Sequence, residues 1–233
     1  MAAPAPVHRR LWLTAGSLTI AFIVLTFAGV ARQYTLQLAQ SHDESVKQLV
    51  HSSLTANYVG GYIEYVATLV LLVGLLLVAR LLRGTSETTG WLSSCMSGSI
   101  VTYTAVTIAA GFAGGAAALY GAHHGADLTS ATMVNNIRNF AFFLSGGLTG
   151  VFAISAGVAG RLTGLLPRWI SYAGIAVGAF AILAIPGSRI GMQNVSTMIW
   201  FVWLLLFGVV ALRSGGRRTA AVSTPAARVP ATV

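Results

Sequence analysis

The chain has 233 residues, 55% of them apolar and only 8% charged, where an ordinary soluble domain carries about a quarter charged residues. So few charges cannot cover a water-facing surface, and lipid must be the solvent for most of the chain. The net charge of +9 sits at the ends of apolar runs and in the tail; that placement suits topology signals and anionic headgroups, and with no aromatic-basic surface segment it argues against nucleic acid as a partner.

A bilayer core takes about 20 apolar residues as helix, and six stretches of the chain fit or nearly fit. The first is Leu11–Ala31. It follows His8-Arg9-Arg10 and ends on Gly29-Val30-Ala31, the outline of a secretory signal. Its apolar run exceeds the usual length of about 7–15 residues, so a retained span is expected; cleavage would leave five spans.

The loop Arg32–Asn57 follows. Within it Ser41-His42-Asp43-Glu44 has the form of a capping box, and Val46, Leu49, Val50 and Leu54 recur at helical spacing. This predicts a short amphipathic helix over about Asp43–Leu54, lying on the outer surface or capping the bundle.

The second span, Tyr58–Ala79, holds the one acidic residue inside any predicted span, Glu64. A bare carboxylate there is costly, so it must face the bundle interior, pair with a cation or be protonated. Its helical neighbours Gly60, Gly61 and Thr68 form a small-residue face that turns it toward another helix, while Tyr58, Tyr62 and Tyr65 cluster elsewhere on the surface. The third span, about Met96–Tyr120, begins near the single cysteine, Cys95, which excludes an intramolecular disulfide and a multi-cysteine metal site.

His123, His124 and Asp127 come next, in the third-to-fourth loop. Two histidines and an aspartate are ligands for zinc or copper, although adjacent histidines face one metal only if the loop bends; the alternative is a wet loop. The fourth span is predicted at Phe140–Gly160, with Arg138 at its entry. Asn135, Arg138, Phe142, Ser145 and Thr149 follow one helical face, polar at four of its five positions, and such a stripe faces protein or water rather than lipid. These positions predict a Glu64–Arg138 pair, with Asn135 or Asn139 completing its hydrogen bonds and Tyr62 and Ser145 nearby. The pair serves either helix packing alone or a ligand or proton site.

The fifth span, Trp169–Ile185, is short and stopped by Pro186-Gly187. The sixth is about Met192–Leu212. Asn194-Val195-Ser196 matches a glycosylation acceptor but lies at a membrane edge. Pairs of glycines four apart (Gly111/Gly115, Gly146/Gly150, Gly174/Gly178) indicate a tightly packed bundle. Residues 214–233 mix Gly, Pro, Ala, Ser, Thr and Arg without periodicity and read as a disordered tail.

Arg9, Arg10, Arg80, Arg83, Arg161, Arg168, Arg213, Arg217, Arg218 and Arg228 fall on one side of these spans; Arg32, Lys47, Arg138 and Arg189 fall on the other. Ten against four puts both termini in the cytoplasm. Trp12, Trp91 and Trp169 then mark the inner edge, and Tyr34, Tyr58, Tyr62 and Tyr120 the outer. There is no P-loop, HExxH, GxSxG or GxGxxG motif.

Gly60-Gly61-Tyr62-Ile63-Glu64-Tyr65 leads into a leucine-rich span, Ala79-Arg80-Leu81-Leu82-Arg83 stops it, and Leu166-Pro167-Arg168-Trp169 opens the fifth helix. With the long loop after the first span, these segments resemble a bacterial family of uncharacterised six-span integral membrane proteins, over most of residues 11–213. The resemblance implies the fold and carries over no catalytic residue.

The expected protein is therefore an all-α membrane protein: a six-transmembrane-helix bundle over residues 1–213, a short outer helix at about 43–54, and a cytoplasmic tail. It is expected in the plasma membrane, without a cofactor and without enzymatic activity. Its partners are the lipid bilayer and a candidate protein within the membrane. A structural, assembly, lipid-binding or partner-binding bundle is the first functional expectation. The alternative is a small transporter or ligand-binding bundle with an outer-leaflet pocket around Glu64 and Arg138, and a membrane enzyme comes third.

Overall fold

The computed structural model describes residues 6–33, 51–187 and 191–220. Those residues form six helices: α1 (Pro6–Val30), α2 (Leu54–Leu81), α3 (Glu87–His123), α4 (Leu128–Thr163), α5 (Arg168–Leu183) and α6 (Met192–Ala220). All but α5 are long and apolar enough to cross a membrane. With 16 residues, α5 is about 24 Å long at 1.5 Å per residue, short of a hydrocarbon core of about 30 Å. The expected helix over Asp43–Leu54 lies outside the described residues except at its end, where Ser53 caps α2 and Leu54 opens it. Residues 221–233 of the expected tail also lie outside them, and α6 runs on to Ala220.

The first four helices all begin earlier than the apolar pattern predicts, α3 and α4 by the most. α3 starts at Glu87 instead of near Met96, because Ser86 caps it by accepting from the Thr89 amide. Its serines are tolerated in an apolar setting because they bond to backbone carbonyls: Ser97 donates to Ser93 O at 3.0 Å and Ser99 to Met96 O at 3.0 Å. Ser93 reaches across to α2, donating to Ala79 O at 2.9 Å. α4 starts at Leu128 rather than Phe140, capped by Asp127, and ends where Gly164 takes a left-handed φ of 66°.

The helices pack as a closed ring in the order α2, α1, α6, α5, α4, α3 and back to α2. Small residues set the close approaches, as expected where lipid removes any hydrophobic drive between helices. A Cβ on Gly29 would lie 2.8 Å from Gly60 O, one on Gly16 2.8 Å from Gly208 O, and one on Gly150 2.7 Å from Gly178 O. Gly111 meets only its own helix. Gly150→Val is therefore expected to force α4 and α5 apart and cost about 1–3 kcal/mol, measurable as a lower melting temperature in detergent. Gly111→Ala is expected to leave melting unchanged.

One end of the ring is solid. Leu71, Leu75, Met96, Ile100, Phe152, Ile170, Leu204 and Phe207 are fully buried toward the arginine-rich end. Trp203 also sits in this core and donates to Ile170 O at 3.1 Å. Trp91 and Trp169 are exposed near that end, as interfacial rings are, whereas Trp12 is buried in the core. Toward the opposite end the helices diverge.

Candidate functional site

Between the diverging helices lies a cavity of about 1010 Å³, lined by every helix except α5. This is at the upper end of the range for small-molecule sites, about 300–1,000 Å³. All six residues expected at a polar site (Tyr62, Glu64, Asn135, Arg138, Asn139 and Ser145) line it. The polar stripe of α4 thus faces the bundle interior: Asn135, Ser145 and Thr149 are buried, and Arg138 and Asn139 are half-buried.

The expected Glu64–Arg138 ion pair does not form: no contact within 4.0 Å joins them. The reason is the ring order. Glu64 stands on α2 and Arg138 on α4, which are not neighbours, so the two charges face each other through the cavity. Glu64 Oε1 instead accepts a hydrogen bond from Gln33 Nε2, which arrives just past the end of α1. The close Gly29–Gly60 crossing makes this reach short, since a Cβ on Gly29 would lie 2.7 Å from Glu64 Cγ. Arg138 lies across Gly115 of α3, where an added Cβ would sit 3.1 Å from its Cδ and 3.2 Å from its Nε. Among the described residues its guanidinium has no hydrogen-bond or ion-pair partner.

The cavity floor is aromatic. Phe22 and Trp200 meet edge-on at 6.0 Å, Trp200 and Phe201 at 5.5 Å, and Tyr103 and Trp200 at 6.4 Å between ring centres. Polar atoms on two cavity-lining residues of α6 are buried in the wall without a partner. Gln193 is 1% exposed and its Oε1 is unbonded; Trp200 is 3% exposed and its Nε1 is unbonded. A buried polar atom left unpaired costs free energy, and the wall of the cavity carries that cost at both atoms. Gln33, Gln193 and Trp200 were not singled out from sequence. For Gln193 and Trp200 the signal is the polar spacing Gln193, Ser196, Thr197, Trp200 along one face of an otherwise apolar helix; Gln33 has none. No protein-family model, no curated protein and no solved structure matches this chain.

At Thr107–Phe112 the α3 backbone is π-helical, and Thr107, Gly111 and Phe112 line the cavity. Such segments interrupt helices at functional sites more often than elsewhere.

His123, His124 and Asp127 are not gathered around one point. Among the described residues no group of three potential metal ligands exists. His124 Nδ1 lies 2.8 Å from Tyr120 O and its ring stacks on Tyr120. Both carboxylate oxygens of Asp127 are engaged at the start of α4, accepting from Ser130 N at 2.9 Å and from Ser130 Oγ at 2.6 Å. Those bonds, the Ser130 hydroxyl first, hold the Asp127 carboxyl below the ordinary carboxylate range. The acid is more ionised in the folded protein than in the unfolded chain. Its stabilising effect is thus complete above the ordinary carboxylate pKa and fades as pH falls through the lowered value. Asp127→Ala is expected to lower the hydrogen-exchange protection factors of the Ser130 and Ala131 amides at neutral pH, and acidification of the unmodified protein to lower the same factors, each taken against the intrinsic exchange rate at that pH. Asn194-Val195-Ser196 lies in the first turns of α6 with Ser196 buried, unlike a glycosylation acceptor in a surface loop.

Proposed function

We propose that this chain is a six-span integral protein of the plasma membrane, with both termini cytoplasmic, that binds a small molecule in a cavity opening to the outer side. It is a transporter-like or receptor-like bundle rather than a purely structural one. The five long apolar helices and the apolar α5 between two polar ends support the spans. The gathering of arginines at one end supports the orientation.

The ligand reading rests on one observation above all: Arg138 projects into a large cavity and is left unpaired there. An arginine retained only to lock helices together would be expected to meet the carboxylate of Glu64. An unpaired guanidinium kept within an apolar bundle is expensive and is explained by a partner that comes and goes. The π-helical interruption of α3 beside the cavity suits an element that moves during access.

Cysteine labelling in intact cells tests this. In a Cys95→Ala background, Asn139→Cys is expected to react with a membrane-impermeant sulfonated thiol reagent added outside. Ser155→Cys, in the packed half of α4, is expected to stay unlabelled. Equal protection of both positions would refute an outward-opening cavity.

A further inference from the structure

We infer that the ligand is an amphipathic organic anion: its acidic group docks on Arg138 and its apolar body lies along the aromatic floor. The inference rests on the ligand-binding reading above and adds the chemistry of what is bound.

The two charges in the cavity are not equivalent. Glu64 already accepts from the Gln33 amide. Arg138 accepts nothing and has only donors to offer, five N–H groups in a fixed planar fork. None of them is engaged among the described residues. The unfilled requirement at this level of the cavity is therefore for an acceptor, and preferably a charged one. The fork matches a carboxylate or phosphate through two parallel bonds. Gly115 lets the arginine stem lie flat against α3, so a side chain there would displace the head group. Asn135 and Asn139 flank Arg138 on α4 and line the same space, so neutral amides are at hand for the remaining lone pairs of an acid.

Beyond the head group the walls turn apolar. Phe22, Tyr103, Trp200 and Phe201 give a surface suited to hydrocarbon or an aromatic ring. Trp200 Nε1 and Gln193 Oε1 lie unpaired beneath this wall and are closed off from the cavity, so the floor meets a ligand as an apolar surface. A cation would be repelled by Arg138, and its attraction to Glu64 would compete with the bond Glu64 already accepts from Gln33. A neutral molecule of the same shape would fill the floor and leave the guanidinium without its charge partner. Affinity should thus rank anion, then neutral isostere, then cation.

The test uses the full chain in phosphatidylcholine nanodiscs and isothermal titration calorimetry with 3-phenylpropionate, 3-phenylpropionamide and 3-phenylpropylamine. The carboxylate is expected to bind at least ten-fold more tightly than the amide, with the amine weakest. Arg138→Gln should bring carboxylate and amide to equal affinity, and Arg138→Lys should keep part of the preference. The comparison within the unmodified protein stands even if a variant fails to fold. Amide binding as tight as carboxylate binding overturns the inference while leaving the cavity reading intact. If no probe binds but Asn139→Cys labels normally, the inference alone fails; if labelling is lost as well, both fail. Adding phosphatidylglycerol distinguishes the sources of the anion. Competition points to an acidic lipid headgroup and its absence to a soluble acid, and each supports the anionic class.

Discussion

Arg138→Glu is expected to lower the yield of folded protein more than ten-fold, measured as monodisperse material after detergent extraction against the unmodified chain. The cavity contains one guanidinium and one carboxylate, on helices that are not neighbours in the ring. Reversing the first leaves two carboxylates and no cation. The amide of Gln33 serves only Glu64, so the new acid has no donor of its own. A charge near the centre of a bilayer costs about 2.5–3.5 kcal/mol on insertion scales, less toward the edge, and about 1.4 kcal/mol is a factor of ten. Adding Glu64→Arg to the same chain restores the charge total but points a cation at the Gln33 amide, so recovery is expected to be partial. Full yield from Arg138→Glu alone would mean that water in the cavity screens these charges completely, and the role given to Arg138 would fall with it.

The parts of this fold that were legible in the sequence are those where lipid is the solvent. Long apolar runs bounded by arginine mark α1, α2, α5 and the start of α6 to within about five residues, because hydrocarbon tolerates little else. α3 and α4 were misjudged at their beginnings for a common reason. Ser93 and Ser94 look polar in a list of residues, yet in the helix each hydroxyl is turned onto a backbone carbonyl. Asp127 looked like a metal ligand or a wet loop residue and is a helix cap. The inward turn of Glu64 was legible from Gly60, but which helix it would meet was not. Gly60 packs on α1 whereas Gly61 meets nothing, so the carboxylate is delivered to Gln33 rather than to α4. The order in which helices close a ring is fixed by many weak contacts between small residues, and no local pattern encodes it. The polar stripe of α4 survived that uncertainty because a stripe must face inward whichever neighbours it has.

Phe152→Ala is expected to cost about 3–5 kcal/mol, the usual penalty for emptying a large buried aromatic, whereas Phe142→Ala on the same helix should cost well under half as much. Phe152 is 1% exposed among the residues that fill the ring at its arginine-rich end; Phe142 is 43% exposed and borders the cavity. The two rings are chemically identical but unequally buried, so the difference between the variants reports how completely each is packed. In lipid packing carries most of the stability, because side chains leaving the core would find hydrocarbon, not water, and lose only their close contacts. A steep contrast in melting temperature would therefore report a bundle clamped at one end and deliberately loose at the other. The loose end retains Arg138 in spite of its expense, a cost that the proposed ligand would account for. Should both variants lose the same stability, the divergence of the helices around Phe142 would not exist in the membrane, and the cavity with it. Adding 3-phenylpropionate sharpens the comparison. A ligand that binds only the folded state raises stability in proportion to the logarithm of its concentration. That gain should persist in Phe152→Ala, whose cavity is intact, and shrink in Phe142→Ala, whose cavity wall is missing.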